Sequence, residues 1–404
     1  MAAGASGAGP GPTGAASNAG AGAGGMNPFQ IATNLYAEKN LQGLLTGVAA
    51  TTSAQQFGGS INAGQYLRGV RLMVRNANTP SAIVTVGGVA FASADGAFAA
   101  IQNADITNVD GSEILYNMSA YAHYLMQKNG KPWLKDRALA YDYQPIAAAN
   151  GGAFTLFMQP EIRFTAGCLA NTDTRSQYRL DYTLAPFTAT TQPTYNITPY
   201  MDAWAQPDAN DLQGTPNQPV PPGVNLQVKR RHQFFTLNTG ADNTLLSTLT
   251  GNAIRAAVLI TRNVGGVRVD GFADPIYWYL DNRSLGRLNP DIVRQWAEDQ
   301  YAPYNLYGGA SQAGSSFYAT ANNATDGLAA NTGNYNGSGS MDLGVYTFPR
   351  FMLPGELYGQ GWLYTANSTK LAWESVAQNA AVTAELVVDE VYPVGNVDPT
   401  LVDI

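Results

Sequence analysis

From about residue 60 onward, apolar and polar side chains alternate along the chain, the period-two signature of strands with one buried face. In QYLRGVRLMV the alternation puts Tyr66, Val70, Leu72 and Val74 on one face and Arg71, Met73 and Arg75 on the other. QYRLDYTL sets Tyr178, Leu180, Tyr182 and Leu184 against Gln177, Arg179, Asp181 and Thr183. AIRAAVLIT sets Ile254, Ala256, Val258 and Ile260 against Arg255, Ala257 and Leu259. AELVVDEVY carries Leu386 and Val388 on one face and Val387 and Val391 on the other, as a sandwiched strand does.

Helical spacing is confined to two places. Ile31, Leu35, Leu41, Leu44 and Leu45 within residues 28–48 predict a short helix. Asn289 suits an N-cap, Pro290 the first helical position and Asp291 the positive end of the helix dipole, with Ile292, Val293 and Trp296 sharing a face. Between about 186 and 223 the strand signal fades. The Pro-, Asn- and Gly-dense run AQPDANDLQGTPNQPVPPG reads as a linker. The expected division is a Gly/Ala arm over 1–27, a β domain over 28–206, a linker over 207–223 and a second β domain over 224–404. Residues 306–340 read as a long loop.

Composition sharpens this picture. The 404 residues suffice for two cores, and 43 Gly, 22 Pro and 22 Tyr fit an all-β chain with many turns. Charged residues are 13% of the chain, against about 25% in ordinary soluble proteins. So little charge suits a subunit that hides much of its surface against copies of itself. A net charge of −7 argues against wrapping nucleic acid, which needs clustered cations. Residues 1–25 hold nine Gly and nine Ala, nothing that could bury enough surface to order the segment alone. The first charge is Glu38, so no basic signal-peptide start is read, and no apolar run reaches the roughly 18 residues of a membrane span. Synthesis and assembly in a cytoplasm is the expectation.

Three stretches carry a resemblance. FMQPEIRFTAGCLANTDTRSQYRLDYTLA (157–185) reads as strand, loop and strand. DNRSLGRLNPDIVRQWAEDQYAPYN (281–305) runs from an Arg-Leu-Asn-Pro turn into a Trp-containing helix. The third comprises Gly344-Val345-Tyr346 with the C-terminal AELVVDEVYP (384–393). In this order the chain resembles the double jelly-roll major capsid proteins of tectivirus-like phages, the lineage that includes adenovirus hexon. The resemblance implies two tandem β jelly rolls with short inserted helices and long loops. It implies a homotrimer with a pseudo-hexagonal outline, tiling an icosahedral virion shell, commonly around a lipid membrane, with penton and minor capsid proteins as further partners. The uncharged arm departs from the family's amphipathic N-terminal helix and leaves a membrane contact there unsupported.

The candidate chemistry is sparse. His123 and His232 fall in opposite halves, and His123, between Tyr121 and Tyr124, reads as a satisfied structural histidine. Cys168, the single cysteine, has no patterned His partner and reads as an inert thiol. Lys229, Arg230 and Arg231 form the one dense basic run, read as a solvated strand end or a salt-bridging face within a trimer rather than a genome or lipid contact. Asp389/Glu390 and Glu298/Asp299 are sequence neighbours whose side chains should point apart, which makes them poor catalytic dyads. Asp105, Asn108, Asp110 and Glu113 miss calcium-loop spacing and read as a polar loop. The Asn-x-Ser/Thr triplets at Asn117 and Asn323 read as chance. No catalytic, cofactor or metal residue is assigned. The competing reading is a receptor- or carbohydrate-binding module using Tyr304, Tyr307, Phe317 and Tyr318; a β-sandwich hydrolase would need converging carboxylates that the sequence does not indicate.

Overall fold

A computed structural model describes residues 31–34, 45–49, 51–62, 65–76, 98–130, 153–158, 168–186, 194–204, 227–245, 250–293, 344–348, 363–377 and 380–392, apart from isolated positions inside those runs. The linker, the 306–340 loop, the arm, Trp296, Glu298/Asp299, Asn323 and the four loop aromatics lie outside them.

Nineteen described strands form three sheets. In the second half they are β11 (Gln227–Leu237), β12 (Asp242–Leu245), β13 (Ala253–Arg262), β14 (Phe272–Leu280), β15 (Arg283–Leu288), β16 (Val345–Thr347), β17 (Leu363–Tyr364), β18 (Leu371–Ala377) and β19 (Val382–Tyr392). They pair as β11-β19-β13-β16, with β17 on β13, and as β12-β18-β14-β15. First strand beside last, with the chain passing back and forth between the two sheets, is the wrapping of a jelly roll.

The first half repeats it. Its strands are β1 (Ile31–Asn34), β2 (Leu45–Ala49), β3 (Gln55–Ser60), β4 (Gln65–Asn76), β5 (Ile101–Thr107), β6 (Glu113–Met118), β7 (Ala153–Met158), β8 (Leu169–Asn171), β9 (Arg179–Leu184) and β10 (Thr194–Trp204). One sheet runs β1-β10-β4-β7, with β2 also on β10 and β8 on β4. The other runs β3-β9-β5-β6. Strand β10 passes from β2, paired to Ile197, to β1, paired from Met201. Pro199, which has no N–H to give a ladder, sits at that changeover.

The two rolls share a sheet. Strand β6 lies parallel to β11, with Arg230 opposite Leu115, so the second sheet of one roll and the first sheet of the other fuse into nine strands. The β13–β19 half of that sheet is buried on both faces. Ala257, Leu259, Leu386 and Val388 pack into the second roll with Phe272, Trp278, Tyr346, Phe348 and Trp373. Ala256, Val258, Ile260 and Val387 join the first roll's core instead. Helix α1 (Ala120–Gly130) lies on that face and contributes Tyr121, Ala122, Leu125 and Met126. In the second core Trp278 and Trp373 meet edge to face at 4.9 Å, and Phe348 stands 5.6 Å from Trp373.

The expected alternation holds in β9, where Leu180, Tyr182 and Leu184 are buried. It breaks at two bulges. In β13 an extra residue, Arg255, lies between Ile254 and Ala256, so Ile254 joins the second roll's core rather than the face of Val258. In β4 the extra residue is Arg68, so Leu67 rather than Tyr66 shares the core with Val70. The helix expected over 28–48 is also corrected: both described parts are strands, drawn into the ladder of β10. Asn289 does cap a helical turn, accepting from Ile292 N at 3.2 Å, but Ile292 is exposed while Val293 is buried. The helix α1 was not foreseen, although Ser119 caps it by accepting from Ala122 N at 3.1 Å.

Gly344 has φ +73°, and a Cβ there would stand 2.7 Å from the carbonyl oxygens of Thr261 and Val269. Gly344→Ala is expected to lower unfolding free energy by about 1–3 kcal/mol. The check is the urea midpoint at unchanged slope; an unshifted midpoint would show that the backbone adapts.

Candidate functional site: the seam between the two rolls

The one place where titratable groups from both halves converge among the described residues is the seam between β11, β13 and β19 and the α1–β5 side of the first roll. Arg230 and Asp389 are direct cross-strand partners, and the bulge at Arg255 adds a second guanidinium to the same carboxylate. Arg255 Nη2 donates to Asp389 Oδ1 at 2.8 Å, and Arg230 Nε to Oδ2 at 3.4 Å. All three side chains are buried.

Arg230 reaches further, into the first roll. Its Nη1 lies 3.2 Å from Nδ1 of His123, whose Nε2 lies 2.7 Å from the carbonyl oxygen of Ala104 on β5. A carbonyl only accepts, so Nε2 carries the proton and Nδ1 accepts from Arg230: the neutral tautomer satisfies both bonds. Burial, reinforced by the Arg230 charge, pulls His123 down from 6.5 to about 3. Burial also lowers Arg230, against the pull of Asp389. His232, two residues beyond Arg230 on β11, is near enough to act on His123 and pairs with Glu385 at 3.1 Å.

The opposite face of β19 carries an independent cluster. Arg231 Nη2 donates to Glu390 Oε1 at 2.6 Å, and Asn252 Nδ2 to Oε2 at 2.5 Å. Burial raises Glu390 against the opposing pull of Arg231 and Asn252. The adjacent carboxylates Asp389 and Glu390 therefore do point apart, each into its own arginine set. The basic run is corrected: Arg230 and Arg231 are neither a solvated strand end nor a face left for another subunit, because the antiparallel register of β11 on β19 aligns them with carboxylates of the same chain. The two histidines, expected to stay apart, both come to the seam, each held by a different partner.

The remaining candidates do not converge. Asp105 is buried on β5 opposite Asp181 of β9, Glu113 begins β6, and Asp110 is outside the described residues. No group of three metal-ligating side chains occurs among the described residues. Cys168 is buried. No described helix is long and apolar enough to cross a membrane. Chemically, the seam fixes two bodies against each other: His123 is sealed, with both ring nitrogens engaged. The network itself could have been sought in the sequence, since Lys229-Arg230-Arg231 and Asp389-Glu390 lie on strands of equal length and opposite charge.

Removing the shared carboxylate leaves two buried guanidinium groups uncompensated. Asp389→Asn should cost about 3–5 kcal/mol in urea unfolding. Arg179→Ala, at the partly exposed Arg179–Asp181 pair, should cost under about 1 kcal/mol. Equal costs would mean that the seam charges are better solvated than their burial implies.

No family model and no curated protein matches the sequence. Solved structures do. A chain in the atomic structure of Sulfolobus Turreted Icosahedral Virus is similar at 11% identity, over 91% of this chain and 92% of that one, with a TM-score of 0.53. The STIV MCP is similar at 10% identity over 89% and 96%, with a TM-score of 0.50. The major capsid protein P2 from bacteriophage PM2 aligns at 12% identity over 91% and 98%, with a TM-score of 0.47. With both rolls traced strand by strand, the chain has the double jelly-roll fold found in the coats of icosahedral viruses.

Proposed function

We propose that this chain is the major capsid protein of an icosahedral virus, three copies of which form a pseudo-hexagonal capsomer. The observation that carries this reading is the match of both rolls, in series and nearly end to end, to a coat protein of Sulfolobus Turreted Icosahedral Virus. The physics agrees. A tile must keep its two rolls at a fixed angle, and here a common sheet, a shared apolar core and a buried ion network hold them. The low charge leaves surface suited to burial between subunits.

On this reading the role is structural rather than catalytic, and the chain resides in the virion shell after assembly in the host cytoplasm. The domains divide at the 207–223 linker, between β10 and β11. Partners are further copies of the chain, penton and minor capsid proteins, and any membrane beneath the shell; no cofactor, metal or nucleic acid is required. Residues 1–27 serve assembly by tying neighbouring capsomers together.

Light scattering with electron microscopy tests the reading directly. The expected species has a mass of about 128 kDa, three times the 42.8 kDa chain, and a hexagonal outline. A stable monomer with an open groove would instead support a receptor- or carbohydrate-binding module. Deleting residues 1–25 should leave the trimer intact and lower the yield of closed particles; an unchanged yield would remove the role assigned to the arm.

A further inference from the structure

We infer that His123 is an acid-sensitive latch between the two rolls: neutral, it ties α1 and β5 of the first roll to β11 of the second, and protonated, it repels the arginine it holds. Only the neutral ring can donate to Ala104 O and accept from Arg230 at once. A second proton would convert Nδ1 from acceptor to donor, facing a guanidinium N–H.

The acids around that charge already have partners. Strand β11 presents Arg230 and, further along, His232. Strand β19 presents Asp389, already shared by Arg230 and Arg255, and Glu385, engaged by His232. Strand β13 presents Arg255, and Arg262 over the ring of Tyr121 at 6.0 Å. Strand β5 supplies the carbonyl, followed by Asp105, which lies opposite Asp181 of β9. Protonation would place three cations around one buried carboxylate. Without the latch, the strand pairing at Arg230 and Leu115 and the apolar packing of α1 remain to hold the seam.

The sign follows from the depressed value. His123 in the closed seam titrates at about 3, and once exposed near 6.5. Acid therefore favours the open seam, up to tenfold per pH unit between those limits, and the closed form is fully retained above 6.5. Glu390, shifted upward on the far face of β19, works in the opposite sense and is common to any pair of variants differing only at position 123. In a capsomer the angle between rolls would become pH-dependent; that consequence rests on the capsid reading, while the latch does not.

The test is hydrogen–deuterium exchange on the full-length protein in its native assembly at pH 7 and pH 4.5, corrected for the intrinsic rate, for the wild type and His123→Gln. Glutamine can donate to Ala104 O and accept from Arg230 but does not titrate. The expected wild-type result is a gain in exchange of at least about tenfold in α1 and β6, relative to β4, β10, β14 and β18 inside the rolls, and no such gain in His123→Gln. The inference is overturned if the variant responds to acid as the wild type does, or if wild-type α1 and β6 open no sooner than the roll interiors. Should the variant fail to fold, the wild-type pattern alone decides.

Discussion

The constraint on which the rest depends is that one sheet must serve two cores. Strands β13 and β19 present apolar side chains to the second roll on one face and to the first roll on the other. A sheet buried on both faces has no solvent side on which to place a polar error. Every residue of β19 from Ala384 to Glu390 is buried, and its three acids each have a cationic or histidine partner. The two rolls are held together because exposing either face of this sheet opens the core packed against it.

Buried ion pairs seldom add much net stability, because desolvation offsets their attraction. Their value here is directional. Apolar packing of α1 on β13 and β19 tolerates sliding, whereas a carboxylate clasped by Arg230 and Arg255 does not. The bulge that inserts Arg255 supplies the second clasp and turns Ile254 into the other core. The same local device recurs at Arg68 in β4. In both rolls, then, a bulge whose extra residue is arginine resets which face the following residues occupy.

Much of the fold was legible in the sequence because half-buried strands force a period of two. The faces of β9 and β19 follow the alternation, and the Asn289 cap follows from side-chain chemistry acting within one turn. The alternation could not reveal the bulges, since an extra residue changes face without changing composition. Nor could it foresee that residues 31–34 and 45–49 would be strands: their helical spacing yields to the long ladder of β10. The short helix α1 gives no periodic signal because its buried residues crowd into the stretch Ala120–Met126 instead of recurring along one face.

By itself the sequence determined an all-β chain with two core-forming halves, poor in charge and without a motif for chemistry, because these properties reside in composition and local period. It also contained the charges of the seam, as a basic triplet and an acidic pair 159 residues apart. Only the tertiary structure decided that Arg230 meets Asp389 rather than solvent, that His123 is neutral, and that both histidines lie at one joint. Those facts depend on the register of β11 against β19 and on the parallel seam with β6, and register between distant strands is set by the packing of whole sheets.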